Sequence, residues 1–212
     1  MSKLWADLSN NNPSFDAAAY ARAGHKLLGY KATEGGTYVD KTMPKNVRFA
    51  HAHGIRVAFY HFAQPNSTNS AAAQARFFWR TVEPEYRAGD YLVLDLEVEH
   101  RHGARASRQW SRAFHRELKR ASGHGAIMYT GRSFLADYLG PLIRVGRGGF
   151  QRFWVAEYAQ HLKVTMIPWA RPVWAWQRTG DGQGRDPQTL PGCPDNCDVN
   201  VLNTRTARRL GA

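Results

Sequence analysis

Residues 90–99, Asp-Tyr-Leu-Val-Leu-Asp-Leu-Glu-Val-Glu, constrain this chain more than any other stretch. Leu92, Leu94, Leu96 and Val98 alternate with Tyr91, Val93, Asp95 and Glu97. That period of two predicts a β-strand with two unlike faces. One face is wholly aliphatic; the other starts apolar at Val93 and turns acidic at Asp95 and Glu97. A run this hydrophobic reads as an interior strand rather than an edge, yet an unpaired buried carboxylate is very costly. Two carboxylates near the C-terminal end of such a strand therefore mark a site. Side chains two apart on a strand sit about 6–7 Å apart at the backbone, so their tips can hydrogen-bond or flank one reacting atom. The bland alternative is an edge strand with a solvated acidic face.

The same periodicities set out the other elements. Strands are predicted at 3–9, 25–33, 55–62, 126–129, 153–158, 172–179 and 197–202. Helices are predicted at 15–23, 44–53, 67–82, with Asn66 or Ser67 as cap, 105–121 and, briefly, 133–139. Eight strands, the first five mostly separated by helices, predict a single-domain α/β chain over 1–212, a parallel TIM-like (β/α) barrel that is irregular in its second half. Functional groups of such barrels lie at the C-terminal ends of the strands. Asp7, Glu34, Tyr60, Asp95, Glu97, Tyr129, Glu157, Gln177 and Asp198 all fall near those ends.

Charge narrows the partners. The formal net charge is +12, with denser basic patches at 101–120, 144–152 and 205–209. Such a surface suits a polyanion, either a nucleic acid or an anionic cell wall. No zinc-finger or RNA-binding aromatic signature accompanies it, so specific nucleic-acid binding is not expected. Twelve per cent of the residues are aromatic, a density that fits a core and also sugar-stacking walls. No stretch approaches a membrane span, and no apolar leader opens the sequence. Cys193 and Cys197 are the only cysteines. Zinc would need two more ligands, and the local sequence offers no His. A small disulfide-closed loop is the favoured reading, and it would persist only outside a reducing cytoplasm.

An ordered set of motifs then resembles the glycoside hydrolase family 25 muramidases, the Chalaropsis-type lysozymes frequent among phage endolysins. The pieces are Ala6-Asp7-Leu8-Ser9, Lys31-Ala32-Thr33-Glu34-Gly35 with Tyr38-Val39-Asp40, Phe59-Tyr60-His61-Phe62 and Leu94-Asp95-Leu96-Glu97. They continue with Tyr129-Thr130, Trp154-Val155-Ala156-Glu157-Tyr158, Trp176-Gln177 and Asp198-Val199-Asn200. There are departures: Trp5-Ala6 stand where the family often has Gly-Ile, Arg178 follows Trp176-Gln177 in place of an aromatic, and the cysteine loop is not a general family feature.

The resemblance implies hydrolysis of the β-1,4 bond between N-acetylmuramic acid and N-acetylglucosamine with net retention, without metal or cofactor, by a monomer acting at the bacterial wall. Release from the host cytoplasm is expected for a phage enzyme, and an extracellular location otherwise. By position, Glu97 matches the general acid, in a role that needs a pKa raised by burial and a neighbouring carboxylate. Asp95 matches its partner, and Asp7 and Asp198 the supporting acids. Glu34, Tyr60, Tyr129, Trp154, Glu157, Trp176 and Gln177 are expected along the substrate groove. Peptidoglycan is the implied partner, with anionic wall polymers held by the basic surface. The competing readings are a non-catalytic wall-binding barrel, another acetamido-sugar glycosidase such as a chitinase, and a zinc amidase, for which no H-E-x-x-H motif is present.

Overall fold

The computed structural model describes residues 3–12, 14–159, 161–180, 183–184, 189–193 and 197–211. Eight strands close a barrel: β1 (Leu4–Leu8), β2 (Leu27–Glu34), β4 (Arg56–Phe62), β5 (Tyr91–Asp95), β6 (Ile127–Gly131), β7 (Phe153–Ala156), β8 (Ala175–Gln177) and β11 (Asp198–Leu202). A short strand β3 (Tyr38–Val39) folds back antiparallel on β2, and β9 (Thr179–Gly180) pairs with β10 (Gln183–Gly184) as a separate hairpin. Helices α1 (Ala17–Arg22), α2 (Met43–Ala52), α3 (Ala71–Val82) and α4 (Gly103–Ser122) carry the crossovers of the first half. Among its described residues the second half has the turn α5 (Arg132–Phe134), a π turn over Leu135–Leu139 and 3₁₀ turns, followed by the helix α6 (Thr204–Leu210).

Period-two alternation builds two cores from one sheet. Inside the barrel lie Trp5, Ala58, Val93, Ile127, Trp154 and Leu202; outside it, under the helices, lie Leu92, Leu94, Phe59, Phe78, Phe114 and Val155. The interior is aromatic: Trp154 meets Trp5 and Tyr129, each at 4.6 Å between ring centroids. β5 sits between β4 and β6, parallel to both, so the edge-strand interpretation of 90–99 does not hold.

Three expectations are corrected. The barrel is not wholly parallel: β11 runs antiparallel to both β1 and β8. Among the described residues no helix crosses back to the far end between β8 and β11; the β9–β10 hairpin lies there instead, and β11 starts at the end where β8 finishes. Asp198 therefore starts its strand instead of ending it. The cap of α3 is Ser70, whose hydroxyl accepts from Ala73 N at 3.2 Å, in place of Asn66 or Ser67. Asn66 is engaged elsewhere, donating to Glu99 O and accepting from Arg101 N. β5 also stops at Asp95, and Glu97 lies in the loop beyond it.

Candidate active site

A cleft of about 510 Å³ opens at the end of the barrel where β1, β4, β5 and β6 finish and β11 begins. All four acids singled out in the sequence line it: Asp7, Asp95, Glu97 and Asp198. Asp95 ends β5 and is 5% exposed. Its carboxyl shares a hydrogen bond with Glu97, and burial, then the charges of Glu97 and Asp7, hold its pKa well above the usual carboxylate range. Its Oδ1 is buried and takes no hydrogen bond from any described residue. Glu97 itself is exposed. The burial that the sequence reading assigned to Glu97 thus falls on Asp95, because β5 ends two residues before Glu97.

Asp7 lies across the cleft. It is buried, and its pKa is also well raised, by burial first and by Asp198 second. Two amides oppose that shift: Asn200 Nδ2 donates to Asp7 Oδ2 at 2.7 Å and Gln177 Nε2 at 3.2 Å. The same Gln177 nitrogen donates to Asp198 Oδ2 at 3.0 Å, so one amide joins two acids. The Gln177 orientation is fixed in turn, since Oε1 accepts from the hydroxyls of Tyr129 at 2.6 Å and Tyr158 at 3.3 Å. Asn200 is set the same way by Trp154 Nε1, which donates to its Oδ1 at 2.7 Å. Inward alternation on β6, β7, β8 and β11 brings these four side chains together.

The groove residues divide. Tyr60, Tyr129, Trp154 and Gln177 line the cleft. Tyr129 and Trp154 are buried against each other, so they form its floor and orient the polar network. Glu34, Glu157 and Trp176 stand back from the wall. Trp176 is adjacent to inward-facing Ala175 and Gln177, so the pleat turns it outwards, where Nε1 donates to Glu157 O at 2.8 Å. The Glu157 carboxylate is taken up by Arg132 Nε and Lys163 N, both at 2.7 Å. Glu34 accepts from Lys31 Nζ and Gln64 Nε2. It is Lys31 that faces the cleft, 5.1 Å from the Phe62 ring centroid.

Lys31, Phe62, Tyr158 and Asn200 were not singled out as site residues, although all four stand inside the quoted motifs. Alternation from Gly29 on β2 and from Asp198 on β11 points Lys31 and Asn200 inward. Tyr158 lies past the end of β7, where alternation gives no guidance.

Cys193 and Cys197 are both buried, with a hydrogen bond between their thiols that draws Cys197 below its usual range. Residues 194–196 between them lie outside the described residues. Among the described residues, no group of three or more His, Cys, Asp or Glu side chains is arranged to hold a metal ion, and no helix is long and apolar enough to cross a membrane.

Comparison with known proteins agrees with this geometry. Over 98% of its length the chain superposes on the bacterial lysozyme from Streptomyces coelicolor, with a TM-score of 0.77, 24% identity and 95% of that chain covered. The muramidase from Trichobolus zukalii gives the same TM-score at 23% identity, covering 98% of this chain and 97% of the other. At these identities the likeness is one of fold. The autolytic lysozyme of Clostridium acetobutylicum is 32% identical over 76 residues, a stretch that makes up 36% of this chain and 22% of that protein. Residues 6–186 match the profile of the glycosyl hydrolases family 25, a span that takes in Asp7, Asp95, Glu97 and Gln177, and the chain belongs to that family.

Proposed function

We propose that the protein is an N-acetylmuramidase that hydrolyses the β-1,4 bond between N-acetylmuramic acid and N-acetylglucosamine in bacterial peptidoglycan. The observation that carries the reading is the Asp95–Glu97 pair at the barrel mouth, one carboxyl exposed and the other buried with its Oδ1 lacking a hydrogen-bond donor among the described residues.

Two carboxyls in hydrogen-bond contact repel as anions, so the pair retains one proton between them. Glu97 gives that proton to the leaving glycosidic oxygen. The pair is closer than the ~5 Å between acid and nucleophile in retaining enzymes that attack with a carboxylate, and far closer than the ~6.5–9.5 Å of inverting ones. That spacing favours attack at C1 by the substrate's own acetamido oxygen. Asp95 Oδ1 then accepts the acetamido N–H and balances the positive charge that develops on the ring it closes. Glu97, now a carboxylate, takes a proton from water as the water attacks C1. The acetamido group is released and the configuration is retained. Asp7 and Asp198, fixed by Gln177, add negative potential beside the oxocarbenium-like sugar.

The test is mass analysis of digested peptidoglycan, with the anomer of the first product read by NMR. Reducing muramic acid ends in the β form are expected. Reducing glucosamine ends, cleavage of chitin oligosaccharides alone, or no glycan cleavage would overturn the assignment; an α product would overturn retention only.

A further inference from the structure

Two of the basic patches in the sequence, 101–120 and 144–152, meet in space. A groove of about 1230 Å³ runs across the opposite end of the barrel, where β4, β5 and β6 begin, and along α4. Its cations are Arg56, Arg116, Lys119, Arg120, Arg147 and Arg152, all exposed. Among the described residues two carboxylates face them, and both are already engaged. Asp90 accepts from Val57 N and Arg87 N at 2.8 Å each and from His51 Nε2 at 3.0 Å. Glu117 accepts from Arg76 at 2.9 Å and Arg120 at 2.7 Å. Among the described residues, no carboxylate pairs with Arg56, Arg116, Lys119, Arg147 or Arg152.

The fold brings these charges together. α4 buries Trp110, Phe114 and Leu118 and sets Arg108, Arg112 and Arg116 in one row at four-residue spacing, the first two half-buried and Arg116 exposed. The guanidinium of Arg112 is held below its usual range, by burial first and then by Arg108 and Arg116. Gly148, at φ +85°, lets the 146–149 loop close on this row: a Cβ there would come within 2.7 Å of Arg112 O and Arg116 Cγ. That contact brings Arg147 beside Arg116, whose Nη1 donates to Arg147 O at 3.3 Å. A glycine-dependent contact thus fixes the 146–149 loop, and Arg147 with it, against the arginine row of α4.

We propose that this groove binds a phosphodiester-linked anionic wall polymer, and so holds the enzyme on its substrate from the end opposite the cleft. The inference rests on the muramidase reading for its choice of polymer. Five of the six cations are arginines, whose planar forks match phosphate oxygens. Nucleic acid, the other phosphodiester polymer, is favoured by aromatic platforms on which bases stack. The tyrosines of this groove are already occupied: Tyr86 packs on Trp79 and His124, and Tyr91 on Trp174. A polymer of phosphates without bases fits better. Tyr91 and Asp95 are the two ends of β5, four residues or about 13 Å apart, so a bound polymer leaves the cleft free and raises the local concentration of wall around it.

The experiment measures equilibrium binding of the full chain to purified poly(glycerol phosphate) and to a single-stranded DNA of equal charge, beside cleavage of a short neutral muramyl glycan. Arg147→Glu with Arg152→Glu should weaken polymer binding about tenfold or more at low salt and leave glycan cleavage unchanged. Lys41→Glu with Lys45→Glu, at exposed positions around the start of α2 and outside the groove, should weaken it less than about twofold. Unchanged glycan cleavage reports that the first variant is folded; if it is not, Arg147→Gln with Arg152→Gln takes its place and should lose about threefold or more. Equal losses in the two charge-reversal variants would mean bulk attraction without a site, and no loss in the groove variant would also overturn the proposal. Tighter binding of the DNA than of the polymer would make the groove a nucleic-acid site. A protein that binds the polymer but cleaves no glycan would refute the muramidase reading and leave the groove standing.

Discussion

Asp7 and Asp198 are cross-strand partners at the cleft end of β1 and β11, and the single amide nitrogen of Gln177 donates to both. Their pairing exists because the last strand is reversed. A parallel β11 would carry residue 198 to the far end of the barrel. The reversal thus sets a second pair of acids opposite Asp95 and Glu97, and it needs a neutral donor between them to be tolerated.

Removing that donor should expose the repulsion. Gln177→Ala takes away a hydrogen bond that favours ionised Asp7, while burial and Asp198 still raise its pKa. The acid limb of the kcat profile should move to higher pH, and turnover at neutral pH should fall about tenfold or more. Adding Asp198→Asn removes the competing charge and should move the limb part of the way back. An unshifted limb in Gln177→Ala would show that the amide does not tune the acids.

Glu97→Gln should cost the general-acid factor of roughly 10²–10⁴ in turnover, or more. Because Glu97 is exposed and lies beyond the end of β5, the melting temperature should change little. Wild-type turnover in this variant would remove Glu97 from the mechanism. A large fall in melting temperature would assign it a structural role instead.

The first half of the fold was legible because its signals are local. Period two at 55–62 and 90–95 and the amphipathic run at 105–121 each predict one element, and short crossovers fix the order of parallel neighbours. The acids were legible for a related reason: a carboxylate in an apolar strand has no bland explanation. What escaped depended on long-range geometry. The direction of β11 depends on the end from which the chain re-enters the barrel after β8, and no local periodicity encodes that. The outward turn of Trp176 depends on the register of a three-residue strand. Helix α6, capped by Asn203 with Ala207 against the barrel floor, offers only one buried turn to a sequence reading. The exposure of Glu97 follows from β5 stopping at Asp95, although the alternation continues to Val98.

The two cysteines should close to a disulfide under oxidising conditions. Their thiols are already in hydrogen-bond contact, and Cys197 adjoins Asp198 at the cleft wall. Its lowered pKa favours the thiolate that reacts. Titration of denatured, unreduced protein after mild oxidation should find close to no free thiol. Two thiols per chain would refute the bridge. Where the bridge forms, it should brace the start of β11, and reduction should lower turnover more than it lowers wall binding.

Asp95 sets the last expectation, in which activity and stability part company. Its pKa is raised in the folded state by burial, then by Glu97 and Asp7. Between the ordinary carboxylate range and that raised value, the folded chain holds a proton that the unfolded chain has released. Stability therefore falls as pH rises through this window, the reverse of the usual salt-bridged aspartate. Asp95→Asn removes the titration, and its amide can still donate to Glu97. The variant should be more stable than wild type at neutral pH, by roughly 2–4 °C in melting temperature for each kcal/mol relieved. The gain should vanish as pH drops below about 4, where Asp95 is protonated in both states. Turnover should fall strongly, because a neutral amide cannot balance the charge of the closing acetamido ring. Melting curves from about pH 3 to 8 with parallel rate measurements check both halves. A variant less stable than wild type at neutral pH would mean that the Asp95 carboxylate holds the fold together instead of straining it for catalysis.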